Sequence, residues 1–173
     1  MGYSGSVKLH DDPRLTAAGL FTEAFTGVMA RLNPTLSNAG LSTIDFETLL
    51  RLARSPRHGL RMSDLAAQTS LSTSGVTRVI DRLEREALVT RTACTTDRRA
   101  SYAVITDAGL AKLDDVLPQH LKDIETWFTG LLTPEQLDGL LEALRVIRDT
   151  VRPGATAGAE PTAETAAEVT RPR

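Results

Sequence analysis

The sequence predicts a mainly α-helical fold with one small β-hairpin, and three observations carry that prediction. Apolar residues recur at steps of three and four along most of the chain, the spacing of one buried helical face. Two short runs rich in Val, Thr, Ile and Tyr, "LVTRTAC" and "SYAVIT", flank the charged stretch "TTDRRA" and read as paired strands. Aromatic residues make up 4% of the chain, so the packing is expected to rest on Leu, Val and Ala.

The elements follow in order. From Leu15, the stripe Ala18, Phe21, Phe25, Val28, Met29, Leu32 and Leu36 predicts a long first helix, which Pro34 is expected to kink or to end at the preceding residue. Ser42 with Asp45 marks a second start, since the hydroxyl caps while the acid complements the helix dipole. That helix turns Ile44, Leu49 and Leu50 inward, and "SPRHGL" breaks it with proline and glycine. "SDLAAQT", begun by Ser63, and "STSGVTRVIDRLERE", begun by Ser72, are two helices separated by a tight turn.

In the second of these, Val76, Val79, Ile80 and Leu83 share one face, and Ser74, Thr77, Arg78, Asp81, Arg82 and Arg85 lie on the other. One face packs; the other is small, polar and basic. A helix, a tight turn and a second helix of this kind form a helix-turn-helix, whose second helix enters the major groove of DNA. The hairpin that follows at once carries Asp97, Arg98 and Arg99 at its tip, which makes the unit a winged helix. Minor grooves concentrate negative potential and attract an inserted arginine. Beyond a capping Thr106, Leu110, Leu113, Val116 and Leu117 predict a long helix, with a bend expected at Pro118. Thr133 and Pro134 open a last helix with Leu137, Leu140, Leu141, Leu144 and Ile147 on one stripe.

Charge is segregated in the same place. The whole chain carries a formal −2. Between positions 51 and 100, however, ten arginines face five carboxylates, giving +5 there and leaving −7 for the remainder. A polyanion-binding face requires such segregation, and arginine's planar fork suits phosphate and guanine edges better than lysine does.

Other chemistries find little support. His10, His58 and His120 are far apart in sequence, and one cysteine, Cys94, forms neither an internal disulfide nor a zinc knuckle. No catalytic, cofactor or metal site is expected. No basic-then-apolar leader and no run of about 20 apolar residues is present, so the expectation is a cytoplasmic protein with no membrane role. His10 with Asp11 and Asp12 is better read as a solvated segment than a metal site, and Trp127 with Phe128 as core or interface.

The order of elements and the hairpin resemble the multiple-antibiotic-resistance-regulator (MarR) family of bacterial transcription factors. "DRRASYAVITDAG" follows the family's pattern through Asp97, Arg99, Ile105, Thr106 and Gly109, and "STSGVTRVIDRLEREALVTR" resembles its recognition helix and first wing strand. Ala87 stands where many relatives have glycine.

The resemblance implies a homodimeric repressor reading a pseudo-palindrome in double-stranded DNA, responsive to a small aromatic or phenolic ligand. With the residue patterns it divides the chain into a flexible segment (1–14), a helical dimerisation region (15–40 and 107–152), a winged helix-turn-helix lobe (41–106) and, from the lack of apolar periodicity after Pro153, a disordered tail (153–173). Ser72, Thr73, Ser74, Thr77, Arg78 and Arg82 are the expected contacts to the major groove and nearby phosphates, with Asp97, Arg98 and Arg99 contributed by the wing. Two alternatives stay beside this reading: a winged-helix protein-interaction module that has lost DNA binding, which an uncharged recognition face would have signalled, and a thiol-based sensor using Cys94 beside the basic wing.

Overall fold

The computed structural model of the chain describes residues 8–93 and 101–155. Six α-helices and a three-stranded antiparallel sheet make up the described fold, in the order α1 (Pro13–Asn38), α2 (Thr43–Arg54), β1 (Gly59–Arg61), α3 (Met62–Thr69), α4 (Thr73–Arg85), β2 (Val89–Ala93), β3 (Ser101–Ile105), α5 (Asp107–Trp127) and α6 (Pro134–Val151). The expected mainly α fold with a small hairpin is what forms.

Most helix starts are fixed by the expected caps. Ser42 and Asp45 make a reciprocal capping box at α2, as Thr133 and Gln136 do at α6. Ser72 accepts from the Gly75 N–H, and Thr106 from the Gly109 N–H. α3 differs from expectation: it begins at Met62 rather than Ser63, with no side-chain cap, because β1 runs directly into it. Ser63 instead donates to its neighbour Asp64.

Pro34 does not end α1, which continues to Asn38. The proline sits on the exposed side, where the carbonyl it leaves unbonded can be served by water, while Leu32 and Leu36 bury on the opposite side and hold the next turn in place. Past the cap residue Ala39 the chain leaves the helix at Gly40, whose φ of 76° suits glycine, with Gly40 N–H bonded to the Ser37 carbonyl and Leu41 N–H to that of Leu36.

β1, unforeseen, is a three-residue strand lying against β3, with Gly59 opposite Val104 and Arg61 opposite Tyr102. Across the other edge, Val89 pairs with Ile105 and Ala93 with Ser101, so β3 is central. The sheet closes one side of a core in which Leu49, Leu52, Ile80 and Leu83 are fully buried together with Leu65, Val76, Ala103, Ile105 and Leu113. The seam between sheet and α5 requires a glycine: a Cβ on Gly109 would lie 2.2 Å from the Leu88 carbonyl oxygen. Thr106 holds the same seam, its backbone N–H bonding Leu88 and its hydroxyl donating to the Ala87 carbonyl at 2.7 Å.

The tail expected to be disordered from Pro153 begins instead with an ordered turn. Pro153–Ala155 form a 3-10 turn against α3, where Ala155 is buried and Gly154 packs on Ala67, and the Arg152 guanidinium donates to the Gln68 carbonyl. Small residues allow that close approach. Residues 156–173 lie outside the described residues, as do 1–7 of the expected flexible N-terminal segment.

Candidate nucleic-acid interface

α4 owes its orientation to its apolar stripe. Val76, Val79, Ile80 and Leu83 are all buried, which forces Ser72, Thr73, Ser74, Thr77 and Arg78 outward along one exposed face. The hydroxyls at its start are partly engaged. Ser72 Oγ caps the Gly75 N–H at 3.1 Å and lies 3.0 Å from Ser74 Oγ, while Thr77 Oγ1 donates to the Thr73 carbonyl. Thr73 and Ser74 therefore present small polar groups at a helix N-terminus, where backbone N–H groups and the dipole favour an anion.

The arginines of this segment separate by partner. Arg78 is exposed and has no hydrogen-bond or ion-pair partner among the described residues. Arg82 is different: its guanidinium pairs with the buried Asp45 carboxylate on α2, Nε reaching Oδ1 at 3.1 Å. Asp45 also accepts from the Ser42 backbone N–H and hydroxyl, so one carboxylate closes the α2 cap and anchors α4. Arg82 is thus held in the scaffold, and the structure does not bring it together with the exposed group around Arg78. Arg51 pairs with Glu47 along α2. Arg85 is exposed, its Nε donating to the Asp81 carbonyl.

Sequence reading passed over Arg91, on β2. Its side chain bridges Asp81 at 2.6 Å and Glu84 at 2.8 Å on α4. Two acids three positions apart on α4, followed by an arginine in the next strand, are the signal that points to it. Arg61, also passed over, donates to Tyr102 Oη at 2.8 Å and stacks over its ring, joining β1 to β3.

α4 ends in a left-handed residue. Ala87 has φ 59°, its N–H bonds the Glu84 carbonyl, and Leu88 N–H bonds that of Leu83, the Schellman arrangement in which glycine is usual. Leu83 and Leu88 are both buried beside it, so the geometry is retained without glycine. Asp97, Arg98, Arg99 and Cys94 lie outside the described residues.

Away from α4, His120 is buried between α5 and α2, its ring edge-on to Phe46 at 4.7 Å between centroids. Burial lowers its pKa, opposed by the nearby Asp123 carboxylate. Hydrogen bonds from Thr35 and Gln119 in turn lower the pKa of Asp123. Arg14 pairs with Asp12, the cap of its own helix, at 2.6 Å. Among the described residues no group of three or more His, Cys, Asp or Glu is placed to hold a metal, and no helix is long and apolar enough to cross a membrane.

A helix-turn-helix preceded by β1 and followed by the β2–β3 pair is shared with known proteins. The model of the MarR family matches residues 39–100. AbsC, a MarR family transcriptional regulator from Streptomyces coelicolor, is 35% identical and superposes with a TM-score of 0.77 over 82% of this chain and 96% of its own. The chain belongs to the MarR family of transcriptional regulators. A second MarR regulator from the same organism, Sco3205, solved in complex with DNA, is 28% identical, with a TM-score of 0.76 over 91% of this chain and 98% of its own. CouR from Rhodococcus jostii RHA1, bound to p-coumaroyl-CoA, is 26% identical, with a TM-score of 0.66 over 85% of this chain and 96% of its own. Membership places the chain among DNA-binding regulators rather than enzymes.

Proposed function

We propose that the chain is a cytoplasmic homodimeric repressor that reads a pseudo-palindromic operator through α4 and the wing and is released by a small aromatic ligand. The exposed face of α4 carries this reading: Thr73, Ser74, Thr77 and Arg78, which has no partner among the described residues, form a small, polar, basic surface of the kind that enters a major groove. Ser72 contributes as the cap that fixes the helix start, and Arg82 as the anchor to Asp45. Asp97, Arg98 and Arg99 are assigned to the wing's contact with the neighbouring minor groove on the sequence pattern alone.

Dimerisation is supported by the apolar surface that α1, α5 and α6 leave unpaired. Between them lies an open groove of about 510 Å³, lined by Phe21, Phe25, Leu32, Phe128, Leu140 and Leu144. A second copy offering the same helices would fill it by an isologous contact. The complex of Sco3205 with DNA and that of CouR with an aromatic acyl-CoA support the DNA and ligand parts.

Footprinting on the DNA flanking the gene tests the reading. A protected pseudo-palindrome is expected, with affinity falling by about three decades or more from low to moderate salt if several arginines per lobe neutralise phosphates. Arg78→Ala is expected to lose roughly 1–3 kcal/mol of discrimination at one position of each half-site. Salt-insensitive binding would contradict the reading.

A further inference from the structure

The face that offers Arg78 to the major groove also carries Asp81, with the half-buried Glu84 at its border, two carboxylates of the wrong sign for DNA. Arg91 reaches both. Its Nη2 lies 2.6 Å from Asp81 Oδ1 and donates to the Thr77 carbonyl at 3.3 Å, its Nη1 lies 2.8 Å from Glu84 Oε2, and its backbone N–H donates to Glu84 Oε1 at 3.1 Å. One residue of the first wing strand thereby grips α4 over two turns, from Thr77 to Glu84.

We propose that Arg91 is a positioning residue for operator recognition: it sets the wing against α4 and neutralises Asp81 and Glu84, without itself touching DNA. The assignment rests on the reading of α4 as the helix that enters the groove. Its donors point at protein acceptors already placed for them, and its side chain is 29% exposed, against 48% for Asp81. An isolated surface pair contributes little. Here the planar fork engages two carboxylates and a carbonyl at once, a geometry that a lysine ammonium cannot reproduce.

The consequence concerns specificity more than affinity. Phosphate attraction is shared by every sequence, whereas base reading requires α4 and the wing to meet their grooves together. Loosening the Arg91 grip therefore lowers operator binding and leaves non-specific binding in place.

The test titrates wild type, Arg91→Lys, Arg91→Ala and the isosteric double variant Asp81→Asn/Glu84→Gln against two duplexes at one salt concentration, with Tm recorded for each. One duplex is selected by the wild type from a random-sequence library; the other is unrelated. The double variant removes two negative charges, so it is expected to bind the unrelated duplex at least as tightly as wild type while losing tenfold or more on the selected one. Arg91→Lys keeps the charge and is expected to lose several-fold in the same ratio.

Tighter binding of both duplexes by the double variant would show that charge alone matters and overturn the proposal. So would an equal loss on both duplexes for Arg91→Ala, the mark of a direct phosphate contact, or an Arg91→Lys protein with the wild-type ratio. A wild type that selects no duplex overturns the underlying reading of α4 together with this one. Wild-type selectivity retained by all the variants overturns only the role given to Arg91.

Discussion

The lobe from α2 to β3 and the helices at the two ends of the chain solve the burial problem in opposite ways. In the lobe, Leu49, Leu52, Ile80 and Leu83 have no exposed surface, and Asp45 is satisfied by the Ser42 cap and by Arg82. In α1, Leu15, Leu20, Phe21 and Phe25 are each more than half exposed, and α6 has no buried residue at all. Both regions are amphipathic by sequence. The difference is that the lobe's stripes face one another within the chain, whereas those of the ends face an open groove. A lone chain does not leave so much contiguous apolar surface to water without a partner. The lobe buries its stripes within one copy, and in the proposed dimer a second copy covers those of the ends.

That contrast can be broken most strongly from the lobe side. Leu49→Ala is expected to cost about 2–5 kcal/mol by opening a cavity, with a Tm loss independent of protein concentration. Phe25→Ala should instead leave the lobe's signal intact and raise the concentration below which the particle dissociates, because what weakens is assembly. Chemical and thermal melts over a hundredfold concentration range distinguish the two.

Gly109→Ala probes where the regions join. Its Cβ would collide with backbone rather than with a flexible side chain, so a loss of about 1–3 kcal/mol or more is expected. An unchanged Tm would show that the seam between β3 and α5 is not tight. Smaller, and opposite in sign, is Ala87→Gly. Relieving the left-handed strain at the end of α4 should stabilise the lobe by up to about 1 kcal/mol, read as a rise in the denaturant midpoint with unchanged slope.

Smallest is a pH effect at the junction of α5 with α2. The pKa of His120 is lower folded than unfolded, so between the two values the unfolded chain binds more protons, and stability rises with pH through that window. Stability should therefore fall as the pH drops below about 6.5. His120→Phe should flatten that part of the profile; a wild-type curve level between pH 7 and 5 would contradict the burial argument.

Local chemistry made much of this fold legible. Ser42, Ser72, Thr106 and Thr133 cap where the sequence places them, because a cap depends on residues two or three positions away. Features set by distant partners were hidden. β1 exists because β3 lies beside it, and α1 passes through Pro34 because Leu32 and Leu36 are buried around it. The ten arginines read as one basic segment, but Arg82 is bound to Asp45, 37 residues away, and Arg91 to two acids on α4. Charge counting locates the face; pairing decides which charges remain to act, and in α4 that leaves Arg78 and Arg85, neither of which faces a carboxylate among the described residues.

The central claim, that the helical ends are closed by a second copy while each lobe folds within one chain, is tested most directly by light scattering on the purified protein. Twice the chain mass of 18.7 kDa is expected, retained on dilution to low micromolar concentration. A folded particle of 18.7 kDa, with α1 and α6 still helical, would contradict it.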